Sequence, residues 1–363
     1  MEPKKISNIV LMVGFIVGLV LITVTILGVL VFVLLSNRNK TRDLQAKKGG
    51  LNNKELQMGM VPKQFSYYEL ASSTKKFAEF EKHEEGGFGG VYRAILKDSN
   101  TYVTVKKVLR SSKQWINEYA SEIRIGGRLR HINLVQVIGW GHVKGELLLL
   151  YEYMENGSLD SHLFKNKSLL TWDTRYKIVH GLACALLHLH EECEPHVLHR
   201  DIKSSNVILD SNFNAKLGGF GLAKLVDHKK GSETTKMAQT SDYLAHECVV
   251  TGKETKSDVF GFGVVVLEIA CGRNIIEYKD RENQIWLIEW IWELYGAGTL
   301  LQAVDLRLGS EFEEDEVEHL MMVGLWCVHP DLDVRPSMRQ VIQVLKHEAS
   351  MPRLPSKMPV SSY

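Results

Sequence analysis

The hydrophobic pattern opens with an unbroken apolar run from Ile9 to Leu35, broken by nothing more polar than Thr23 and Thr25. A helix needs about 20 such residues to cross the hydrocarbon core of a bilayer, so the run predicts a transmembrane helix over 9–35. A cleaved signal peptide is the rival reading. Its apolar region spans about 7–15 residues and closes on a small-residue cleavage site, and this run is longer and has none. Lys4 and Lys5 precede the run, whereas Arg38, Lys40, Arg42, Lys47 and Lys48 follow it. Positive charge favours the cytoplasmic side, which puts the C-terminal part inside the cell and residues 1–8 outside. The expected location is a single-pass protein of the plasma membrane. Gly14 and Gly18, four apart, offer a small-residue face through which two spans can dimerise.

Residues 36–78 begin polar and lysine-rich, contain Gly49-Gly50, and read as a juxtamembrane linker. A globular pattern follows over 79–348, and 349–363, with Pro352, Pro355 and Pro359 among serines, reads as an extended tail. Phe88 to Leu96 and Thr101 to Val108 alternate as strands around a turn at Lys97 to Asn100. In the second strand, period two puts Thr104 and Lys106 on one face, Val103 and Val105 on the other. A helix is predicted next, because Trp115, Tyr119, Glu122 and Ile123 fall at i, i+4, i+7 and i+8. Glu122 shares that inward stripe, which a carboxylate does only where a cation meets it. Beyond Leu150 the pattern turns helical. Asp173 to His190 and Ile285 to Tyr295 are amphipathic stretches, the second with Trp286 and Trp290 as core packing one turn apart.

Composition narrows the class. The 363 residues are 45% apolar and 24% charged, which is globular, and a net charge of +1 gives no global field to recruit nucleic acid. Five cysteines lie far apart without a C-x-x-C pair, as reduced thiols of a cytosolic domain do. His188 and His190 stand two apart and so point to different sides of a helix, which argues against a metal pair.

Three features carry chemistry. Gly86-Gly87-Phe88-Gly89-Gly90-Val91 sits in a strand-turn-strand context, where glycines let backbone N–H groups approach phosphate oxygens. Alone it is a weak signal. Lys106 can meet Glu122, a pairing that fixes a lysine on nucleotide phosphates; an ordinary surface pair is the plainer alternative. The string His199-Arg200-Asp201-Ile202-Lys203-Ser204-Ser205-Asn206 is highly specific, since its spacing places a carboxylate near an attacking hydroxyl and an amide on magnesium.

With these residues in order, the chain resembles the eukaryotic protein kinases over 79–347. Within them it is similar to the plant receptor-like serine/threonine kinases of the L-type lectin kind. The finer resemblance rests on Phe65-Ser66-Tyr67-Tyr68-Glu69-Leu70-Ala71, Leu134-Val135-Gln136-Val137-Ile138-Gly139-Trp140, Val323-Gly324-Leu325-Trp326-Cys327-Val328-His329-Pro330 and Leu354-Pro355-Ser356-Lys357-Met358-Pro359-Val360. It implies an α+β, two-lobed protein kinase fold with a small β-rich lobe (79–150) and a large helical lobe (151–348), using ATP and Mg2+. By the same resemblance Asp201 is the base, and Lys203 marks a serine/threonine enzyme. Lys106, held by Glu122, grips the phosphates under Gly86 and Gly89, and Asn206 holds metal. Val91 and Ile208 sandwich adenine, Tyr151 is the gatekeeper, and Glu152 to Met154 form the hinge. Arg200 reads phosphate on Thr234, Thr235 or Thr240, Glu247 pairs with Arg335, and Asp258 anchors the catalytic loop. Partners implied are other receptor or cytoplasmic kinases and protein substrates. The lectin sandwich of that family is missing from this chain, so no carbohydrate ligand is expected.

Departures from the family pattern modify that picture. Gly219-Phe220-Gly221 stands where the family has Asp-Phe-Gly, and glycine offers no carboxylate to the magnesium that bridges the phosphates. Glu84 replaces the first loop glycine and brings negative charge near phosphate. Thr104 replaces an alanine that roofs the adenine. In the activation segment, Gln239 and Asp242 replace glycines, and Ala245-His246-Glu247 replaces Ala-Pro-Glu. The expectation is a largely formed ATP site with weakened metal binding and impaired phosphotransfer, a signalling pseudokinase or scaffold. The alternative is an active serine/threonine kinase.

Overall fold

The computed structural model describes residues 62–78, 82–86, 89–96, 99–109, 113–143, 146–165, 167–226, 255–280 and 283–359. The span expected at 9–35, with Gly14 and Gly18, lies outside them. Among the described residues no helix is long and apolar enough to cross a membrane.

The chain enters along β1 (Lys63–Gln64) and α1 (Tyr67–Ser73), then runs through β2 (Lys82–Gly86), β3 (Gly89–Leu96) and β4 (Thr101–Leu109). Helix α2 (Lys113–Ser121) continues into a wider π-helical turn, Glu122–Gly126, before β5 (Val137–Val143) and β6 (Glu146–Glu152). These strands form one sheet in the order β1-β5-β6-β4-β3-β2, antiparallel except for β1 beside β5.

The part of 36–78 nearest the domain is not a free linker. Phe65 and Leu70 are buried in the small-lobe core with Ala94, Val103, Val105, Leu148 and Leu150. Ser66 caps α1, its Oγ accepting from the N–H of Glu69 at 3.2 Å. Glycine at 139 makes the docking possible, since a β-carbon there would run into the Phe65 ring. The helix stops at Thr74, after which Lys75, Lys76 and Phe77 take left-handed φ values of 50°, 63° and 57° and lay Phe77 against Tyr67 and Tyr92. The polar composition of residues 36–64 hides this, because the anchoring side chains, Phe65 and Leu70 foremost, are few and follow a polar stretch.

The large lobe follows: β7 (Gly157–Ser158), α3 (Leu159–Phe164) and α4 (Trp172–Leu187), the last continuing as a π turn over His188–Glu192. Then come β8 (His196–Leu198), β9 (Val207–Leu209), β10 (Ala215–Leu217), β11 (Lys224–Val226) and α5 (Thr255–Cys271). β12 (Ile276–Asp280), β13 (Asn283–Trp286), α6 (Leu287–Ala297), α7 (Glu314–Cys327) and α8 (Met338–Leu345) complete it. Helix α5 is apolar nearly all round and is buried from Gly261 to Cys271, as expected of a helix at the centre of a bundle. The amphipathic stretch expected from Ile285 divides: Trp286 ends β13, and α6 starts at Leu287. Trp290 lies under the Arg273 guanidinium at 4.6 Å. The tail has no regular element over 349–359 but is held on α6: Trp292 Nε1 donates to Pro355 O at 3.0 Å and Tyr295 to Leu354 O at 3.2 Å. Cys184, Cys193, Cys271 and Cys327 are free thiols.

Candidate functional site

The sheet face opposite the small-lobe core carries the residues that the resemblance assigns to the nucleotide. Val91 stands across from Lys106, Lys106 from Leu149, and Thr104 from Tyr151. Directly opposed residues of antiparallel strands share a face. Val91, Thr104, Lys106 and Tyr151 therefore line one side, and Val103 and Val105 pack on the other, as period two predicts. At the tip of the β2–β3 hairpin Gly86 pairs with Gly89. Gly87 and Phe88 lie outside the described residues.

Glu122 opens the π turn after α2 and is 5% exposed. Its carboxylate accepts hydrogen bonds from the Tyr151 hydroxyl and the Phe220 N–H, and it lies in the field of Lys106. Burial outweighs these and holds the carboxyl above its ordinary range, with the Asp201 charge adding to the rise. Its Oε1 is buried without a hydrogen bond among the described residues. The Tyr151 hydroxyl is pushed well up by burial and by the charge of Glu122. The sequence foresaw a cation near Glu122 but not the Tyr151 bond, because a tyrosine ahead of the hinge reads as a plug rather than a donor.

Below the cleft, β8 delivers His199, Arg200 and Asp201. Asp258 on α5 receives His199 N–H at 2.8 Å, Arg200 N–H at 2.7 Å and His190 Nε2 at 2.8 Å. Burial alone would raise the Asp258 carboxyl, but the hydrogen bond and charge of His190, with His199 and the Arg200 N–H, bring it below the ordinary value. His190 had no assigned partner in the sequence reading; Asp258 lies 68 residues away. Arg200 takes φ +68° and its Nε is buried without a hydrogen bond among the described residues. His199 Nε2 lies 3.0 Å from Gly218 O, and its ring meets the Phe220 ring edge-on at 4.9 Å. Phe220 is fully buried, and the Ser121 hydroxyl donates to its carbonyl at 3.1 Å.

Asp201, Lys203, Asn206 and Gly219 come together. Lys203 Nζ is 3.0 Å from Asp201 Oδ2. Asn206 Nδ2 donates to both the carbonyl and Oδ2 of Asp201, each at 2.8 Å. Gly219 adopts the left-handed conformation, φ 85° and ψ 49°. A β-carbon there would stand 2.8 Å from Asn206 Cγ and 2.9 Å from both amide heteroatoms, so the Asn206 amide fills the space a side chain at 219 would need.

Ile208 pairs with Lys216 across β9 and β10, and Met154 is buried. Glu152 is bound by Lys216, which sequence reasoning missed because nothing in a strand as short as β10 marks a lysine as facing inward. Arg335 is buried, donating through Nε to His329 O at 2.6 Å and lying over the Phe260 ring at 4.9 Å. Residues 227–254, with Thr234, Thr235, Thr240 and Glu247, lie outside the described residues.

A protein kinase domain model matches residues 77–347. The chain belongs to the protein kinase family. Within it, the chain aligns with plant L-type lectin receptor kinases along its length. It is 49% identical over 351 residues to L-type lectin-domain containing receptor kinase IX.1 of Arabidopsis thaliana, covering 95% of this chain and 54% of that protein. It is 47% identical over 374 residues to receptor kinase IX.2 of the same plant, covering 100% and 55%. Identity to receptor kinase SIT2 of Oryza sativa subsp. japonica is 44% over 302 residues, covering 83% and 45%. The chain thus spans about half the length of the curated relatives it matches. It is a receptor-like serine/threonine kinase family member, and the family works with ATP and Mg2+.

Proposed function

We propose that this chain is a membrane-anchored member of the family whose ATP cleft is largely formed, whose phosphotransfer is impaired, and which signals by binding partner kinases at the plasma membrane. The kinase domain would face the cytoplasm, and paired spans through Gly14 and Gly18 would bring two copies together. The observation that carries the reading is the Gly219–Asn206 contact. Where the resemblance places a metal-holding carboxylate, residue 219 offers backbone alone. Asn206 spends its amide nitrogen on Asp201 and has one amide oxygen left for a cation. Among the described residues, Asn206 and Gly219 together do not complete a two-armed magnesium site. Loss of one preorganised electrostatic group costs about 10²–10³ in rate. The remaining machinery supports nucleotide binding: Lys106 in range of Glu122, Glu122 bonded to Tyr151, and Asp201 held beside Lys203.

The second reading, an active serine/threonine kinase with Asp201 as base, draws on that same Asp201–Lys203 geometry. Radiolabel transfer from ATP by the full chain in detergent micelles, beside Gly219→Asp and Asp201→Asn, separates the two. Impairment predicts a gain in Gly219→Asp that is lost when Asp201→Asn is added. Equal, robust transfer by the unaltered chain and Gly219→Asp, abolished by Asp201→Asn, would establish the active enzyme instead. Thermal shift with ATP, with and without magnesium, reports occupancy of the cleft separately from chemistry.

A further inference from the structure

Glu152 ends the last strand of the small-lobe sheet, and Lys216 lies on β10 of the large lobe. The ammonium of Lys216 sits between both carboxylate oxygens, 2.9 Å from Oε1 and 2.8 Å from Oε2. Oε1 also accepts the N–H of Gln136 at 2.8 Å, and the N–H of Glu152 returns to Gln136 O at 3.1 Å. The segment before Gln136 is itself tied to β10. Leu217 N–H donates to Asn133 O at 2.8 Å, Val135 N–H to Leu217 O at 2.9 Å, and Asn133 Nδ2 to Ala215 O at 2.9 Å. One residue further on, Gly218 N–H donates to Asn206 O at 2.9 Å. Three segments therefore close a ring: the end of β6, residues 133–136, and the strand that leads into Gly218 and Gly219. The Glu152 carboxylate is the point where all three meet.

The two side chains are partly shielded, 17% and 27% exposed for Lys216 and Glu152. Such a pair, with charge-assisted bonds to both oxygens, holds its geometry better than a fully solvated one. We propose that Lys216 is a positioning residue of the nucleotide cleft. Through Glu152 it fixes the backbone of 152–154, where adenine would be met, relative to Ile208, its own cross-strand neighbour, and to the strand entering Gly219. Lys216 touches no nucleotide in this role. It sets the distance between the roof and the floor of the adenine slot and so governs affinity for adenine nucleotides. The inference rests on the nucleotide-binding reading above, but the ring itself does not.

The test uses the full chain in detergent micelles and a fluorescent ADP analogue, titrated with and without magnesium. Lys216→Met should weaken binding about tenfold, the equivalent of one charge-assisted bond. Glu152→Gln, which keeps an acceptor for Gln136, should weaken it similarly, and the two together should be far from additive. Lys216→Arg should restore most of the affinity, which a general loss of packing would not allow. Hydrogen exchange of the unliganded chain should quicken at the amides of Gln136 and Glu152 in Lys216→Met. Wild-type affinity in Lys216→Met, or exchange at those two amides unchanged, would overturn the proposal. If the unaltered chain binds no ADP while exchange quickens, the nucleotide reading fails and the interlobe tie alone stands.

Discussion

The Asn206 side-chain amide occupies the position a β-carbon on residue 219 would claim, 2.8 Å from its Cγ, while its nitrogen holds the Asp201 carboxylate. The two residues are exclusive claimants of one small space. Restoring a side chain at 219 is therefore not a silent repair.

Gly219→Asp should raise phosphotransfer by about 10²-fold or more, provided Asn206 swings off Asp201. Aspartate tolerates left-handed backbone better than most residues. Gly219→Ala brings the same crowding with no oxygen and should lower unfolding free energy by about 1–2 kcal/mol, the cost of a β-carbon in that conformation. Radiometric assay and urea unfolding of the pair of variants read the two effects separately.

Tyr151→Phe removes a donor from a carboxylate that already has one buried oxygen without a hydrogen bond. Stability should fall by about 1–3 kcal/mol, the penalty for leaving a buried acceptor short of a partner. Tyr151→Phe with Glu122→Gln should recover part of the loss, since the amide carries no charge to bury. Chemical denaturation of the single and double variants tests this.

Acid should loosen the fold well above the carboxylate range. Burial holds His131, His180, His199 and His329 below the ordinary 6.5, so the unfolded chain binds protons first as pH falls through that value. Buried His199 comes nearest the limiting slope of about 1.4 kcal/mol per pH unit, and solvent screening holds the more exposed His131, His180 and His329 well below it. Glu122 opposes them: its carboxyl is raised by burial, so the folded state takes the proton first and stability declines as pH rises above 4.5. The histidine losses set in together as pH falls below 6.5, so unfolding free energy should drop between pH 6.5 and pH 5, less steeply than they alone would give because Glu122 offsets part of it. Below 3.8 the depressed Asp258 carboxyl adds its own loss as pH falls. A flat profile from pH 7 to pH 5 would contradict this account.

Leu70→Ala should cost about 2–5 kcal/mol, as a fully buried leucine does, although it lies ahead of the residues matched by the kinase domain model. An unchanged melting temperature would mean that α1 is dispensable.

The alternation around Val103 to Lys106, the helical period that turns Glu122 inward, and the string ending at Asn206 made the cleft legible, because each is a local pattern that tertiary packing keeps. What stayed hidden was pairing across long separations. Tyr151 with Glu122, Lys216 with Glu152, and His190 with Asp258 involve side chains whose own segments read as ordinary strand or helix. The entry segment was misjudged because its anchoring depends on a few scattered side chains, Phe65 and Leu70 foremost, and on bare backbone at Gly139, 74 residues beyond Phe65 in sequence.

That entry carries a mechanical meaning. β1 runs parallel to β5, Lys63 beside Gly139 and Gln64 beside Trp140, with the Phe65 N–H on Trp140 O. A pull on the chain ahead of residue 62 would be borne first by this short ladder. The strand that takes the load joins β6, whose far end is Glu152. Force entering at Lys63 would thus be passed through β5 and β6 toward Glu152.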